Sequence, residues 1–242
     1  MKTLLLIRHG LTEGNVRRWY YGALDLPLCP DGEAALRKAA AAGLYPPADG
    51  RRIVTSGLLR TEQTLRLLYG EQPHEQWAEL REVNFGVFEG RSYDELNGRA
   101  DYEAWVAGDW FYNVPPGGES FAQAERRILT GLARMQAQPE ELLAVVHGGT
   151  VLTIMQALFP EEKRTSYAWQ PNPGGGYLID LAAHTYRQIG ITEPSKHAAV
   201  RHRPRGRRPA RIGAARWLRA CRKKWPGCKF LLIFCYPLWY DK

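Results

Sequence analysis

Histidine, arginine and glutamate side chains are gathered in four short segments of this chain, each of which ends an apolar run or begins a helical stretch. The segments are Arg8–Asn15, Thr55–Thr64, Leu80–Gly90 and Val145–Gly149. The apolar run Leu4–Ile7 predicts a buried strand of a parallel sheet, and it stops at Arg8-His9-Gly10. Because ligands of open α/β sheets bind beyond the carboxyl ends of the strands, His9 stands where a nucleophile for a charged substrate is needed.

The combination of arginine with histidine suits a negatively charged substrate, of which a phosphoryl group is one example. A phosphoryl group in transfer carries negative charge on three oxygens, so its catalysis needs positioned positive groups. Arg8 and Arg60 suit this task, because a planar guanidinium donates two parallel hydrogen bonds to phosphate and stays charged. Their charges also disfavour protonation of His9, which keeps a neutral ring nitrogen available for attack. Gly10 and Gly148 would let the backbone turn sharply beside the substrate.

Short apolar strands alternate with helical stretches along residues 1–193, an order that favours an α/β fold. The strand candidates are Thr3–Ile7, Arg52–Thr55, Leu142–Val146, Tyr177–Leu181 and Tyr186–Ile191. The helix candidates are Gly32–Ala42, Leu58–Tyr69, Tyr93–Ala107, Ser120–Ala137 and Thr150–Phe159. We predict a three-layer sandwich with a mainly parallel sheet flanked by helices, the last strand returning beside its predecessor. No strand is predicted between Glu89 and Pro139. We interpret this segment as a helical insertion over the pocket.

In this order the four segments resemble the histidine phosphatase superfamily, also called the phosphoglycerate-mutase-like fold, over about residues 1–193. The resemblance implies that His9 is the nucleophile that becomes phosphorylated and that Glu82 protonates the leaving group. It also implies that three side chains hold the phosphoryl oxygens: Arg8, Arg60 and His147. Asn15 resembles the family's additional phosphate-pocket residue. No metal and no other cofactor is implied.

Glu82 raises a question of protonation. Nearby arginines favour the ionised carboxylate, yet a general acid must carry a proton near neutral pH. We expect the bound phosphate dianion to restore the protonated form of Glu82.

Substrate contacts beyond the phosphate are predicted from glycine and aromatic residues. We expect Gly148 and Tyr21 to line the substrate pocket. Tyr20, Tyr21, and Trp105 or Trp110 could stack on a planar base, or they could equally be core residues.

Three kinds of family member remain open: a mutase, a bisphosphatase and a small-molecule phosphatase. The stretch between Glu82 and His147 is shorter than in phosphoglycerate mutases, which argues against a mutase. Trp19–Leu28 and Glu82–Gly90 look most like the alpha-ribazole phosphatase branch, whose members remove the 5′-phosphate of a cobalamin precursor nucleotide. The non-enzymatic alternative is a phosphate-ligand binding module. None of the positions that match the family's motifs is lost, which favours the enzyme.

Charge divides the chain near Pro194. Residues 195–242 hold 14 basic residues and one acidic residue, whereas residues 1–194 hold 19 basic and 24 acidic residues. We predict a histidine phosphatase domain over residues 1–193 and a basic, poorly ordered C-terminal extension over residues 194–242. The extension could contact anionic membrane weakly, bind nucleic acid or have no selected role.

The remaining composition favours a soluble protein of ordinary globular type. The N-terminal residues do not resemble a signal peptide, and no apolar run approaches the roughly 20 residues that span a bilayer. The four cysteines form neither a disulfide framework nor a zinc-binding pair of the CxxC type. We therefore expect a cytoplasmic enzyme whose partner is a small phosphorylated metabolite, with no obligatory nucleic acid.

Overall fold

The computed structural model describes residues 2–109, 111–162 and 166–192. The predicted extension over residues 194–242 and Trp110, one of the aromatic residues left open between stacking and core, lie outside the described residues. In the described part, no helix is long and apolar enough to cross a membrane.

The described residues form eight strands and seven α-helices. The strands are β1 Thr3–Arg8, β2 Trp19–Tyr20, β3 Arg51–Thr55, β4 Glu75–Gln76, β5 Arg91–Ser92, β6 Glu141–Val146, β7 Gly175–Asp180 and β8 Thr185–Gly190. The helices are α1 Glu13–Arg17, α2 Pro30–Ala41, α3 Leu59–Tyr69, α4 Tyr93–Leu96, α5 Ala100–Val106, α6 Phe121–Ala137 and α7 Gly148–Leu158. Six strands make one sheet in the order β4-β3-β6-β1-β7-β8, while β2 and β5 pair separately.

The sheet is mainly parallel, as predicted. Strands β4, β3, β6 and β1 run parallel, and β7 returns antiparallel beside β1. Strand β8 then pairs antiparallel with β7, which confirms that the last strand returns beside its predecessor. The parallel order brings the carboxyl ends of β1, β3 and β6 to one edge of the sheet, where three of the four predicted segments begin.

Helices cover both faces of this sheet. Successive strand residues point to opposite faces, so Leu4 and Leu6 of β1 pack in one apolar cluster with residues of α6 and α7. Leu5 and Ile7 pack on the other face with Leu65 of α3. The predicted three-layer arrangement is confirmed, and the apolar run of β1 is explained by burial on both sides.

Two details of the predicted insertion are wrong. The single helix predicted over Tyr93–Ala107 is divided into α4 and α5, because Gly98 takes a positive φ of 86° that an α-helix does not allow. A two-residue strand, β5, also occurs where no strand was predicted. It pairs with β2, which is equally short, and neither shows a periodic pattern in the sequence.

The insertion has an aromatic core of its own. Tyr20 and Trp105 are each 6% exposed and belong to a buried cluster with Phe85, Phe88 and Tyr102. The hydroxyl oxygens of Tyr20 and Tyr102 are 2.7 Å apart. Between the two options left open for Tyr20 and Trp105, the structure favours the core.

Candidate active site

The two predicted histidines meet at the edge of the sheet. His9 follows β1 and His147 follows β6, and these parallel neighbours are paired in a register that sets Arg8 opposite Val146. The backbone N–H of His9 continues this pairing by donating to the carbonyl of Val146 at 2.9 Å. The two imidazole centroids are 5.3 Å apart, and both rings are buried.

The hydrogen bond of His9 defines its reactive nitrogen. Nδ1 lies 2.7 Å from the carbonyl oxygen of Gly10, which can only accept, so Nδ1 carries the proton of the neutral ring. Burial holds the pKa of His9 well below its usual range, and the charges of Arg60 and Arg8 lower it further. Nε2 of His9 therefore keeps its lone pair, which is what a nucleophilic atom requires.

Arg60 lies in the first turn of α3 and is fully buried. Its two terminal nitrogens donate to backbone carbonyls, Nη2 to Gly22 at 2.7 Å and Nη1 to Leu24 at 3.0 Å. Its Cζ atom lies 5.1 Å from the centroid of the Tyr21 ring. Burial lowers the pKa of Arg60, but an arginine keeps its charge in proteins, so a buried positive charge faces the histidines.

His147 is oriented from both sides of its ring. Nε of Arg60 donates to Nδ1 of His147 at 3.3 Å, so Nδ1 is the acceptor and Nε2 carries the proton. Nε2 in turn lies 2.8 Å from the hydroxyl oxygen of Ser56. Burial and the charge of Arg60 hold the pKa of His147 well below its usual range. His147 is thus a neutral hydrogen-bond donor in this site.

Arg8 has an unpaired buried donor. Its Nη1 donates to the carbonyl of Pro171 at 2.8 Å, whereas its Nε is buried without a partner in the described structure. Such an N–H is costly to bury unless a ligand accepts from it, which favours an anion in this site. A Cβ atom at Gly148 would lie 3.2 Å from Nε of Arg8 and would overlap Nε2 of Gln170. A larger residue at position 148 would therefore require the Gln170 side chain to move.

Glu82 lies between its own loop and the start of α7. One carboxylate oxygen accepts from the backbone N–H of Gly149 at 2.9 Å, and the other accepts from Val83 at 3.1 Å. The N-terminus of a helix stabilises negative charge, and α7 starts directly after His147. Glu82 and His147 therefore share one helix end, which brings the predicted acid to the predicted phosphate site.

Arg127 of α6 holds the segment that carries Glu82, and sequence reasoning missed it. Its guanidinium donates to the carbonyls of Glu79, Arg81 and Glu82 at 3.1, 2.9 and 3.3 Å. It also forms a 2.5 Å ion pair with Glu119, whose carboxylate accepts from the backbone N–H of Asn84. No sequence motif points to this arrangement, because it joins a mid-helix arginine to carbonyls more than 40 residues away.

The other two predicted substrate contacts, Tyr21 and Asn15, have different surroundings in the structure. Tyr21 lies at the wall of the site, with its ring centroid 6.4 Å from that of His9 and its hydroxyl 2.8 Å from Thr12 Oγ1. Asn15 uses its side-chain oxygen to accept from the backbone N–H of Thr12, which caps α1. Gln170, beside Gly148 and Arg8, is a further polar residue that the motifs did not indicate.

Within the described residues, no group of three His, Cys, Asp or Glu side chains is arranged to hold a metal ion. The described site is instead formed by two neutral imidazoles, two guanidinium groups and one carboxyl group.

Comparison with known proteins finds relatives that match the part of the chain containing this site. The model of the histidine phosphatase superfamily (branch 1) matches residues 4–189, which include every site residue described above. An adenosylcobalamin/alpha-ribazole phosphatase of Salmonella typhimurium (strain LT2) is 30% identical over 184 residues, 74% of this chain and 90% of that protein. A 2,3-bisphosphoglycerate-dependent phosphoglycerate mutase of Rhizobium etli is 30% identical over 173 residues, 65% of this chain and 80% of that protein. A crystal structure of a candidate alpha-ribazole-5'-P phosphatase from Escherichia coli K-12 aligns with a TM-score of 0.68 at 25% identity, covering 79% of this chain and 96% of that one.

Proposed function

This chain belongs to the histidine phosphatase superfamily, and from that membership we propose that it hydrolyses phosphomonoesters through a phosphohistidine on His9. The observation that carries the proposal is the unprotonated Nε2 of His9, beside two buried guanidinium groups. A neutral nitrogen next to fixed positive charge is suited to attack a phosphoryl group whose oxygens bind to those charges.

The reaction divides into two transfers. In the first, His9 Nε2 attacks phosphorus, the bond from phosphorus to the ester oxygen breaks, and Glu82 gives its proton to the departing oxygen. In the second, water attacks the phosphohistidine, the phosphorus–nitrogen bond breaks, and the Glu82 carboxylate takes the proton from water. Inorganic phosphate leaves, and His9 and Glu82 return to their starting protonation states.

Three side chains are proposed to bind the phosphoryl oxygens: Arg8, Arg60 and His147. The unpaired Nε of Arg8 is a donor of the required kind. We propose that the Nε2–H of His147 exchanges its present partner, the Ser56 hydroxyl, for a phosphoryl oxygen. We propose Asn15 as a further contact through its amide nitrogen, because its oxygen is already used at the helix cap. Tyr21 and Gly148 would form the wall and the floor against which the phosphate lies.

The substrate that we propose is a small phosphorylated metabolite, with alpha-ribazole 5'-phosphate as the first candidate. It is supported by the Salmonella relative, whose match covers 90% of that protein, and by the similarity to the Escherichia coli structure. Burial of Tyr20 and Trp105 removes two rings that could have stacked on a planar base, so base recognition would depend on other pocket residues.

The proposal is tested by hydrolysis of p-nitrophenyl phosphate in the presence of EDTA, by the wild type and by His9→Ala. We expect metal-independent turnover that His9→Ala abolishes, together with acid-labile phosphate on the wild-type protein after rapid quenching. Turnover that is lost on chelation, or that persists in His9→Ala, would contradict the proposal. Binding of phosphate without any turnover would assign a binding module instead.

A panel of natural phosphomonoesters then decides the substrate. The panel contains alpha-ribazole 5'-phosphate, 3-phosphoglycerate and fructose bisphosphates. The highest kcat/KM is expected for alpha-ribazole 5'-phosphate. Isomerisation of 3-phosphoglycerate primed by a bisphosphate would instead assign the mutase activity named for the Rhizobium relative.

A further inference from the structure

A three-residue loop supplies both carbonyl groups that hold the Arg60 side chain. This Gly22 loop, residues 22–24, accepts from Nη2 of Arg60 through Gly22 and from Nη1 through Leu24. With the Nε contact to His147, the described residues engage three of the five N–H groups of the guanidinium. The position of the Gly22 loop therefore sets the position of the buried charge beside His9.

Glu89 holds the Gly22 loop through its backbone N–H groups. Its carboxylate accepts from Gly22 at 2.8 Å, from Ala23 at 3.1 Å and from Leu24 at 3.0 Å. It also accepts from Phe85 at 2.8 Å, in the segment that follows Glu82. One ionised side chain thus binds every residue of the loop, and charge-assisted bonds of this kind are the strong ones.

The Gly22 loop also lies against the backbone beside Glu82. A Cβ atom at Gly22 would overlap the carbonyl oxygen of Val83, so the two segments lie too close together for a side chain at position 22. Glu89 binds the loop on one side and Phe85 on the other. Its carboxylate therefore fixes Arg60 and the Glu82 segment relative to each other.

This arrangement leaves the charge of Arg60 available to a ligand. Burial lowers the pKa of Arg60, and the negative charges of Glu82, Asp25 and Glu89 act against that effect. A carboxylate in direct contact with the guanidinium would occupy its remaining N–H groups and compete with phosphate. Backbone carbonyls hold the side chain without adding a full negative charge to the site.

We infer that Glu89 is a positioning residue that fixes Arg60 for phosphate binding through the Gly22 loop, an inference that rests on the proposed function. Without its carboxylate, the loop amides lose their common acceptor, and Arg60 loses the fixed carbonyls that orient it. Misplacement of a binding group by about 1 Å costs up to about 100-fold in rate. The consequence is weaker binding of phosphate at an otherwise intact nucleophile.

The test measures inorganic phosphate as a competitive inhibitor of p-nitrophenyl phosphate hydrolysis by Glu89→Gln and Glu89→Ala. We expect the inhibition constant to rise by about 10- to 100-fold in Glu89→Ala. The rise should be smaller in Glu89→Gln, which keeps one acceptor oxygen. An inhibition constant does not depend on the fraction of folded enzyme, so a loss of stability alone would leave it unchanged. Unchanged constants in both variants would overturn the inference.

A double-mutant cycle with Arg60→Ala asks whether Glu89 acts through Arg60. In the Arg60→Ala background, Glu89→Ala should change the phosphate inhibition constant by less than about twofold, because coupled residues are not additive. A full, additive effect in that background would also overturn the inference. The matched control is Glu95→Gln in the same insertion, whose carboxylate accepts from Ser92 at the start of α4. It should behave as the wild type.

Failure of the proposed function gives a different pattern. If the wild type hydrolyses nothing, or if His9→Ala is as active as the wild type, the phosphatase proposal fails. Calorimetric titration with inorganic phosphate then replaces inhibition, and the same order of affinities, wild type above Glu89→Gln above Glu89→Ala, decides the role of Glu89.

Discussion

The two histidines and the glutamate of this site are held by different kinds of structure. His9 and His147 directly follow paired parallel strands, and strand pairing continues as far as the backbone of His9. Glu82 and the Gly22 loop lie outside the six-stranded sheet. They are held by two charged side chains, Arg127 for the Glu82 segment and Glu89 for the loop.

This difference separates two ways of fixing a catalytic group. A strand end is positioned by many backbone hydrogen bonds and by a core on both faces, so no single side chain decides it. A loop held mainly by one guanidinium or one carboxylate depends more strongly on a single side chain. Side-chain substitutions should therefore disturb the loop-held half of the site far more easily than the strand-held half.

The largest expected effect tests the acid in the loop-held half. Glu82→Gln keeps the acceptor of the Gly149 N–H but cannot donate a proton, so kcat/KM should fall by about 10²- to 10⁴-fold with an alkyl phosphate. The loss should be much smaller with p-nitrophenyl phosphate, because its leaving group departs without protonation. The ratio of the two losses in steady-state assays is the measurement. Equal losses with both substrates would contradict the assignment of Glu82 as general acid.

A smaller effect is expected from the arginine that holds the Glu82 segment. Arg127→Lys removes the planar fork that reaches four carbonyls, so kcat with an alkyl phosphate should fall about tenfold. Stability to urea should fall by about 0.5–1.5 kcal/mol, because partly buried and exposed carbonyls lose their donors. Arg126→Lys, the exposed neighbour on the same helix, is the matched control and should change neither quantity. If the two variants behave alike, the Glu82 segment is held by other contacts.

The same division explains how much of the molecule could be predicted from sequence. The parallel sheet and the strand-end residues Arg8, His9 and His147 were readable, because apolar runs that stop at charged residues mark buried strands. The roles predicted for these residues, and for Glu82 and Arg60, came from the family resemblance. Glu89 and Arg127 were not recognised, because most of their partners are backbone groups of segments 45 to 67 residues distant. A backbone partner leaves no signal in the sequence.

The break at Gly98 and the strand β5 were missed for a related reason. Each depends on local conformation over two or three residues, which is too short for a periodic pattern to appear. For the aromatic residues, the sequence allowed two interpretations instead of giving no signal. Their composition fits both stacking and core, and only the burial of Tyr20 and Trp105 decides between the two.

The smallest expected effect concerns the strand-held half of the site. The free energy of unfolding should depend on pH through the two buried histidines. His9 and His147 are buried with pKa values well below 6.5, so on acidification the unfolded chain takes up protons that the folded chain refuses. The free energy of unfolding should therefore fall as the pH decreases below about 6.5, by about 1.4 kcal/mol per pH unit for each histidine. Urea titrations between pH 7.5 and about pH 5.5, in buffer without phosphate, measure this slope.

His9→Asn keeps a donor for the Gly10 carbonyl but does not titrate, so its slope should be shallower than that of the wild type by the contribution of one histidine. Carboxylates contribute equally to both proteins and cancel in the difference. Parallel curves for the two proteins would mean that His9 is not held neutral, and its nucleophilic Nε2 would then need another explanation.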